Sequence, residues 1–293
     1  MIAKPCTGQP ESTPGGAPDD QDWDYGQLRD FATEIAVSAG EIIRQNRPAQ
    51  VSVSATKSSP TDPVTEMDRR VEDYLIGRIT TQRPFDGILG EEGDSKAGTS
   101  GLTWVIDPID GTVNYLYGVA SYAVSVAVVK GPVNPLEWTV VAGCVHSVVT
   151  NRTWAAAKGL GATVNGEPIT HRPAVPLAKS LVATGFGYAA NRRAGQSRVL
   201  AQILPKIRDI RRLGSAAIDI CMQAEGTVDM YYERGLQPWD LAAATLIAAE
   251  AGSEVTGLRG LPASELMTVV GRGPAVLELV TLLEQGGADN PNE

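Results

Sequence analysis

Cysteine and histidine are scarce in this sequence, and their scarcity argues against several classes of function. The 293 residues include three cysteines, Cys6, Cys144 and Cys221, and none of them forms the CxxC spacing of a zinc or redox site. We therefore expect reduced thiols in a cytoplasmic protein, not a disulfide framework. The two histidines, His146 and His171, lie in no catalytic motif, which counts against phosphohistidine chemistry.

Long hydrophobic runs and an excess of basic residues are also lacking. No stretch approaches the length of a membrane span, and residues 1–21 contain no apolar segment typical of a signal peptide. Lys and Arg number 25 against 34 Asp and Glu, which gives a net charge of −9. Nucleic acids and anionic membranes both attract basic surfaces, so this acidic balance predicts neither as a main partner.

The composition predicts one large ordered unit between two tails. Residues 1–21 are rich in Gly, Pro, Asp, Ser and Thr and are expected to form a disordered tail, as are residues 286–293. No Pro-rich or Ser-rich linker divides the segment between them, so we predict a single domain over 22–285. Its length allows two lobes, and the change in pattern near residue 178 predicts an α+β lobe over 22–178 and an α/β lobe over 179–285.

Helical and strand patterns interleave along this domain. Apolar residues recur at helical spacing over 25–46 and again over 64–81. A β-rich stretch follows, in which Asn165-Gly166 predicts a hairpin turn. Further strands are predicted at 103–107, 122–130, 140–149, 153–157, 181–184, 210–213, 228–232, 254–256 and 268–270, and further helices at 192–206, 216–224, 240–251 and 273–285. The fold class is therefore α/β or α+β with layered sheets and helices.

Two aspartates follow one of these buried strands. In the segment from Trp104 to Thr112 an apolar stretch stops at Asp107-Pro108, and Asp110 comes three residues later, before Gly111. Carboxylates at the end of a buried strand project into a cleft, and close carboxylates repel each other unless a cation lies between them. Hard oxygen ligands suit Mg²⁺. An isolated pair is explained equally well by one helix cap and one solvated side chain. The spacing of three also differs from the spacing of two in haloacid-dehalogenase phosphatases.

Other acidic residues lie at comparable positions, and each has an ordinary explanation when taken alone. Glu91 and Glu92 follow the apolar pair Ile88-Leu89 and are consistent with a solvated turn. Asp240 begins an Ala-rich helix and is consistent with an N-cap. Asp62 and Asp68 lie near the start of the second helix, where Asp62 is again consistent with an N-cap.

Taken together and in order, these blocks resemble the inositol monophosphatase family of lithium-sensitive, Mg²⁺-dependent phosphatases, over about 25–285. The resemblance implies a layered α/β/α/β/α sandwich and a homodimer. The matching blocks are Lys57-Ser-Ser-Pro-Thr-Asp62, Gly90-Glu91-Glu92, Asp107-Pro-Ile-Asp-Gly-Thr112 with Asn114, Gly214-Ser-Ala216, Tyr231-Tyr-Glu233 and Trp239-Asp240.

The resemblance also implies roles for individual residues and two to three bound Mg²⁺ ions. Glu91, Asp107 and the carbonyl of Ile109 match ligands of a first ion. Asp107, Asp110 and Asp240 match ligands of a second, and Glu91 also matches the main ligand of a third, weaker one. Thr112 matches, with Glu91, the group that orients and deprotonates the attacking water. Asp62 and Asp68 match supporting residues of the catalytic network.

The implied substrate is a small phosphate monoester, with inositol monophosphate as the first choice. Expected substrate contacts are Asp110, Gly111, Thr112, Gly214, Ser215, Ala216, Glu233 and Asp240. One departure affects the substrate pocket, because Gly185, Tyr188 and Ala189 stand in a loop where animal enzymes carry a Glu and a Ser. Alternatives are therefore a broader sugar phosphatase, acting on fructose 1,6-bisphosphate, 3′-phosphoadenosine 5′-phosphate or histidinol phosphate, and a non-catalytic regulatory protein.

Overall fold

A computed structural model describes residues 23–57, 63–93, 95–170 and 172–290. Its helices are α1 (Tyr25–Asn46), α2 (Glu66–Gln82), α3 (Thr112–Tyr117), α4 (Ala190–Ile203), α5 (Ala216–Ala224), α6 (Pro238–Glu250) and α7 (Ala275–Gln285). Its strands are β1 (Ala55–Thr56), β2 (Pro63–Val64), β3 (Gly87–Gly90), β4 (Ser95–Lys96), β5 (Leu102–Asp110), β6 (Ala123–Lys130), β7 (Thr139–Ser147), β8 (Arg152–Ala157), β9 (Ala162–Val164), β10 (Glu167–Pro168), β11 (Leu181–Thr184), β12 (Asp209–Arg211), β13 (Met230–Glu233), β14 (Glu254–Thr256) and β15 (Thr268–Gly271). Within these described ranges, no helix is both long and apolar enough to cross a bilayer.

The first half of the chain builds an eight-stranded sheet covered by two helices. Strand order is β10-β9-β8-β7-β6-β5-β3-β4, and only the β3–β5 pair is parallel. Helices α1 and α2 lie on one face of this sheet and bury their apolar stripes against β5, β6 and β7. Both helices begin at side-chain caps: Asp24 accepts a hydrogen bond from the Gln27 amide, and Thr65 with Asp68 forms a capping box.

The second half builds a five-stranded sheet and completes the layers. Strand order is β12-β11-β13-β15-β14, with β11 parallel to both of its neighbours. Helices α5 and α6 lie between the two sheets, while α4 and α7 cover the outer face of the smaller one. The result is an α/β/α/β/α sandwich, which confirms the fold class that the resemblance implies.

Alternation along the strands explains how one sheet serves two cores. On β5, Trp104 and Ile106 face α1 and α2, whereas Val105 faces α5 and α6. Helix α6 is buried on almost all sides and therefore shows no amphipathic stripe. Its alanines allow close packing, since a methyl group built on Gly143 of β7 would lie 2.9 Å from the Cα of Ala243.

Most predicted elements are confirmed, with differences at their ends. The helices at 25–46 and 216–224 and the strands at 181–184 and 254–256 have the predicted bounds. The second helix begins at Glu66 and not at residue 64, because Thr65 is its N-cap. The Asn165-Gly166 hairpin is confirmed between β9 and β10, with φ of 50° and 84° at its two residues. Helix α3 was not predicted.

The two predicted tails have different outcomes. Residues 1–22 lie outside the described residues, and so do residues 291–293. The chain from 286 to 290, predicted as the start of a disordered tail, packs against the smaller sheet. Ala288 is buried, and the Arg234 guanidinium donates hydrogen bonds to the carbonyls of Ala288 and Asn290. Predicting order to Gln285 alone was therefore too short, because the side chain that anchors the segment is distant in sequence.

Candidate active site

A β-bulge brings the two aspartates of β5 to the same side of the sheet. Asp107 pairs with Ser125 and Asp110 with Ala123, so three residues on β5 span the length of two on β6. Without the extra residue, side chains three positions apart would point to opposite faces. The bend is held by the Ile109 amide, which donates a 2.9 Å hydrogen bond to Asp107 Oδ1. Both aspartates are buried.

Glu91 reaches the same place from the neighbouring strand. Strands β3 and β5 run parallel with Gly90 opposite Ile106, so the next residues, Glu91 and Asp107, lie side by side at the carboxyl ends. Lys57 Nζ lies 2.7 Å from Glu91 Oε1 and 2.6 Å from Glu92 Oε1. The other oxygen of Glu91, Oε2, is buried and has no hydrogen-bond partner among the described residues.

Asp240 completes the acidic cluster from the other half of the chain. It is the third residue of α6, where its Oδ2 accepts a 2.7 Å hydrogen bond from the Gln237 amide in a capping box. Carboxylate oxygens of Asp107, Asp110 and Asp240 all lie within 4.8 Å of one another. We call these three residues the acidic cluster. They form the set that can hold a cation, and Glu91 lies beside it.

Burial and mutual repulsion raise the pKa values of these carboxyls. The pKa of Asp107 is raised well above its usual range by burial, and then by the charges of Glu91, Asp110 and Asp240. Desolvation, followed by the charge of Asp110, has the same effect on the pKa of Asp240. Burial raises the pKa of Asp110 to about 6, although hydrogen bonds from Ser215 and Ala217 oppose the shift. The cluster is therefore unfavourable as a set of free anions.

Asp110 also ties the acidic cluster to the amino-terminal end of α5. Its Oδ2 accepts hydrogen bonds from the Ser215 hydroxyl at 2.5 Å and the Ala217 amide at 2.7 Å, and its Oδ1 accepts a 3.3 Å bond from the Ala216 amide. The Gly214-Ser215-Ala216 turn was predicted to offer free amides to a phosphate. The Ala216 and Ala217 amides already donate hydrogen bonds to Asp110. Of the amides in this turn, those of Gly214 and Ser215 therefore stay candidates for binding phosphate.

Thr112 lies in a hydrogen-bonded chain that leads to Asp68. Its Oγ1 is 3.2 Å from Asp68 Oδ1 and 3.1 Å from the Ile109 carbonyl. The second oxygen of Asp68 accepts hydrogen bonds from the Thr65 amide and hydroxyl. Burial raises the pKa of Asp68 to about 6, while the bonds from Thr65 lower it. The Thr112 hydroxyl thus contacts Asp68 and the Ile109 carbonyl. Asp62 lies outside the described residues.

Gly111 gives this region its turn. Its φ of 95° lies in the left-handed region, and a methyl group built on it would lie 3.0 Å from the Ser121 carbonyl oxygen and 3.1 Å from that of Gly214. Thr112 then begins α3, a short helix that Gly118 ends in the same left-handed conformation. The turn lets the chain leave the bulged strand and present the Thr112 hydroxyl beside the acidic cluster.

Glu233 forms the distal wall of the cleft, at the end of β13. Its Oε2 accepts a 2.6 Å hydrogen bond from the Tyr231 hydroxyl. Burial raises the pKa of Glu233 to about 7, although Tyr231 and Arg212 lower it. The neighbouring Gly185 leaves the space that this carboxylate occupies, since a methyl group built there would lie 2.0 Å from Glu233 Oε2. The departure in the 184–189 loop therefore shapes the position of Glu233.

Three candidate functional residues were not predicted from the sequence. Glu72 on α2 is buried and accepts a 2.9 Å hydrogen bond from the Glu92 amide, which fixes the turn that carries Glu91. Asp219 on α5 is 1% exposed, and its Oδ1 has no partner among the described residues. Arg192 on α4 lines the cleft. Each looks like an ordinary helix residue in the sequence, and only the period of the surrounding apolar residues hints that Glu72 and Asp219 point inward.

The residues of both halves enclose one cleft of about 620 Å³. The predicted residues that line it are Glu91, Asp107, Ile109, Asp110, Gly111, Thr112, Gly214, Ser215, Ala216, Glu233 and Asp240. Buried carboxylates at one end and hydrogen-bonding groups at the other suit a small ligand that carries an anionic group and hydroxyls, with cations between the carboxylates and the anion.

Comparisons with known proteins agree with this arrangement. The model of the inositol monophosphatase family matches residues 24–281. Over 250 residues the chain is 45% identical to the inositol-1-monophosphatase of Mycobacterium leprae, covering 79% of this chain and 84% of that protein. Over 236 residues it is 35% identical to a Vibrio cholerae protein named Nus factor SuhB, covering 80% of this chain and 86% of that protein.

A solved structure shows the same architecture. The structure of Mycobacterium tuberculosis SuhB superposes with a TM-score of 0.75 at 39% identity, covering 92% of this chain and 100% of that one. The segment matched by the family model contains the acidic cluster, Glu91, Thr112 and Glu233.

Proposed function

Since the chain belongs to the inositol monophosphatase family of phosphoric monoester hydrolases, we propose that Mg²⁺ is its cofactor and inositol monophosphate its substrate. The observation that carries this proposal is the convergence of Asp107, Asp110 and Asp240 oxygens within 4.8 Å in a cleft between the two halves of the chain. Water would release inositol and phosphate without a covalent intermediate on the protein.

The residues at the cluster fit Mg²⁺ on the chemistry of their donor atoms. All of the converging groups are hard oxygens, with no cysteine or histidine among them. The buried, unpartnered Oε2 of Glu91 is a further oxygen in need of a positive partner. We propose two to three ions, held by Glu91, Asp107, Asp110, Asp240 and the Ile109 carbonyl. Bound there, Mg²⁺ would neutralise phosphate charge and lower the pKa of a water molecule.

Thr112 and Asp68 are proposed to orient that water and receive its proton. The two hydrogen bonds from Thr65 hold one oxygen of Asp68, which leaves the other directed at Thr112. A carboxyl with a pKa of about 6 is a reasonable proton acceptor near neutral pH. We therefore assign Asp68 a more direct part than the supporting one expected from sequence, and Asp62 keeps its predicted supporting part.

Substrate contacts are proposed on both sides of the acidic cluster. Glu233 would accept hydrogen bonds from ring hydroxyls, and the amides of Gly214 and Ser215 would bind phosphate oxygens at the start of α5. Asp110, Gly111, Thr112, Ala216 and Asp240 would line the phosphate end. The loop around Gly185 makes the distal side the part of the cleft that decides between inositol monophosphate and other sugar phosphates.

Release of inorganic phosphate from a substrate panel tests the proposal. The panel contains inositol 1-phosphate, fructose 1,6-bisphosphate, 3′-phosphoadenosine 5′-phosphate and histidinol phosphate, each with Mg²⁺ and with EDTA. We expect the fastest Mg²⁺-dependent release from inositol 1-phosphate, near-complete loss in Asp107→Asn, and inhibition by millimolar Li⁺. Full turnover in Asp107→Asn with unchanged Mg²⁺ dependence would contradict the metal assignment. A different best substrate would leave the metal assignment intact and reject the substrate.

A regulatory role is the second candidate, because a relative in Vibrio cholerae bears the name Nus factor. A protein that only binds a partner does not need converging buried carboxylates, which are unfavourable without a cation. The presence of the whole cluster in this chain therefore favours catalysis. If no member of the panel released phosphate with any divalent cation, the regulatory alternative would replace the enzymatic proposal.

Assembly and location remain proposals from the family relation and composition. We propose a homodimer, to be measured by light scattering during size-exclusion chromatography. We also propose a cytoplasmic location, consistent with free, buried thiols at Cys144 and Cys221. The proposed lobes at 22–178 and 179–285 are supported by the two sheets, the larger ending at Pro168 and the smaller beginning at Leu181.

A further inference from the structure

Arg192 is a basic side chain that lines the cleft. Lys57 forms ion pairs with Glu91 and Glu92, and the Arg234 guanidinium binds backbone carbonyls. Arg212 lies close enough to Asp219 and Glu233 to lower their pKa values. Within the described part of the chain, Arg192 makes no such contact, neither a hydrogen bond nor an ion pair.

The Arg192 side chain passes close to two glycines. A methyl group built on Gly187 would lie 2.5 Å from Arg192 Cδ, and one built on Gly235 would lie 2.4 Å from Nη1. A side chain at either position would require the arginine side chain to move. The two glycines therefore leave the space that the arginine side chain occupies beside the loop that leads from β13 to α6.

The backbone around Arg192 is also fixed. The Gln196 side chain, one turn later on α4, accepts a 2.9 Å hydrogen bond from the Gly187 amide and donates one to the Arg234 carbonyl. One residue thus joins the two loops between which Arg192 passes. A guanidinium placed between two joined loops is suited to bind an anion, because less loop ordering is required on binding.

Arg192 lies towards the end of the cleft that is distant from the acidic cluster. Besides the main cleft, it lines a small adjoining pocket together with Gly185, Tyr232 and Glu233. None of the acidic cluster residues lines that pocket, and neither does Glu91. A phosphate held at the acidic cluster would therefore leave Arg192 available to another part of the same ligand.

We propose that Arg192 binds a second anionic group of the substrate, so that the enzyme also accepts polyols phosphorylated at two positions. This inference rests on the proposed phosphatase function, because the first phosphate must occupy the acidic cluster. A guanidinium offers several donors in a plane and pairs well with phosphate oxygens. The second group is expected to stay attached during the reaction, and so it contributes binding equally before and during hydrolysis.

A matched pair of sugar phosphates isolates this contact. Fructose 1-phosphate and fructose 1,6-bisphosphate share the sugar and the phosphate to be cleaved, and differ only in the distal phosphate. In the wild-type protein we expect kcat/KM for the bisphosphate to exceed that of the monophosphate about 10- to 100-fold, as for a charge-assisted hydrogen-bonded pair. In Arg192→Met the advantage should vanish through KM, while inositol 1-phosphate turnover changes less than about threefold.

Two further variants separate binding from general charge effects. Arg192→Lys keeps the charge without the planar donors and should retain part of the advantage. Arg211→Met removes the same charge from β12, outside the cleft, and should behave as wild type; its side chain is 44% exposed and paired with Asp209. Thermal unfolding of each variant checks that the fold is intact.

Direct binding makes the outcome independent of turnover. Calorimetry with the same two fructose phosphates and Ca²⁺ in place of Mg²⁺ should give tighter binding of the bisphosphate to wild type and equal binding to Arg192→Met. Equal binding of both sugars by wild type, or an equal loss for both in Arg192→Met, would overturn the Arg192 proposal. Arg192-dependent binding without phosphate release from any substrate would instead reject the proposed catalytic function.

Discussion

Replacing Gly185 by alanine is the sharpest test of the distal wall of the cleft. The added methyl group would lie 2.0 Å from Glu233 Oε2 and 2.3 Å from its Cδ, well inside contact distance. The backbone of Gly185 is not in the left-handed region, so alanine is acceptable there on conformational grounds. The collision with Glu233 is therefore the expected source of any effect.

The size of the effect follows from the bond that Glu233 must give up. Moving its carboxylate breaks the 2.6 Å hydrogen bond from Tyr231, whose hydroxyl is buried. Loss of a hydrogen bond to a charged or buried partner costs about 1–3 kcal/mol of unfolding free energy. If Glu233 also accepts a substrate hydroxyl, KM for inositol 1-phosphate should rise about 10- to 100-fold with little change in kcat.

Urea unfolding and steady-state kinetics measure the two consequences. Gly77→Ala is the matched control, because Gly77 lies within α2 and a methyl group built there would have no neighbour within 4 Å. That control should gain about 0.5–1 kcal/mol from reduced backbone entropy, with unchanged KM.

A double variant decides whether Glu233 is the cause. In a Glu233→Ala background the added methyl group no longer meets a carboxylate, so Gly185→Ala should cause little further change in stability or KM. Unchanged stability and KM in the single variant would show that Glu233 does not lie against Gly185. A full additional loss in the double variant would place the effect elsewhere in the loop.

Three further predictions address the rest of the site and the core. Glu72→Ala removes the acceptor of the Glu92 amide, so Mn²⁺ binding measured by electron paramagnetic resonance should weaken about 10- to 100-fold. Glu72→Gln keeps an oxygen acceptor and should retain most of the Mn²⁺ affinity. Burial raises the pKa of Asp219 to about 8 from its ordinary value of 3.8, so the folded state keeps a proton that the unfolded state loses. Stability in EDTA should therefore fall by about 1.4 kcal/mol per pH unit as the pH rises between these two values, and Asp219→Asn should flatten that slope in urea titrations. Trp104→Phe loses the buried 2.9 Å hydrogen bond from its indole Nε1–H to Asp86 and should cost about 1–3 kcal/mol in the same unfolding assay, without changing KM.

Local signals in the sequence accounted for most of the secondary structure. Helix α1 has a regular apolar stripe and a capping Asp24, and its bounds were predicted as observed. Helix α3 has six residues, which is too short for a helical period to appear. Helix α6 was predicted to begin at Asp240 because that residue suits an N-cap, but Pro238 begins it and Asp240 is the third residue.

The site could be predicted where its residues fall in ordered motifs, and not where its geometry depends on pairing. The blocks around Asp107 and Asp240 identified the acidic residues. No local pattern indicates the bulge that turns Asp110 to the side of Asp107, because the bulge is defined by the register with β6. Arg192 was predicted as an ordinary helix residue for the same reason. Its setting depends on Gly187 and Gly235, which lie on separate loops.

Asp110 contributes both to the packing of the two halves and to the acidic cluster. Asp110 binds the hydroxyl of Ser215 and the first amides of α5, which holds the second half of the chain against the bulged strand of the first. These hydrogen bonds favour the ionised form of Asp110, whereas burial disfavours it. A cation at the acidic cluster would act in the same direction as the hydrogen bonds. Ion binding and docking of the two halves should therefore strengthen each other, because both require the same charge on the same carboxylate.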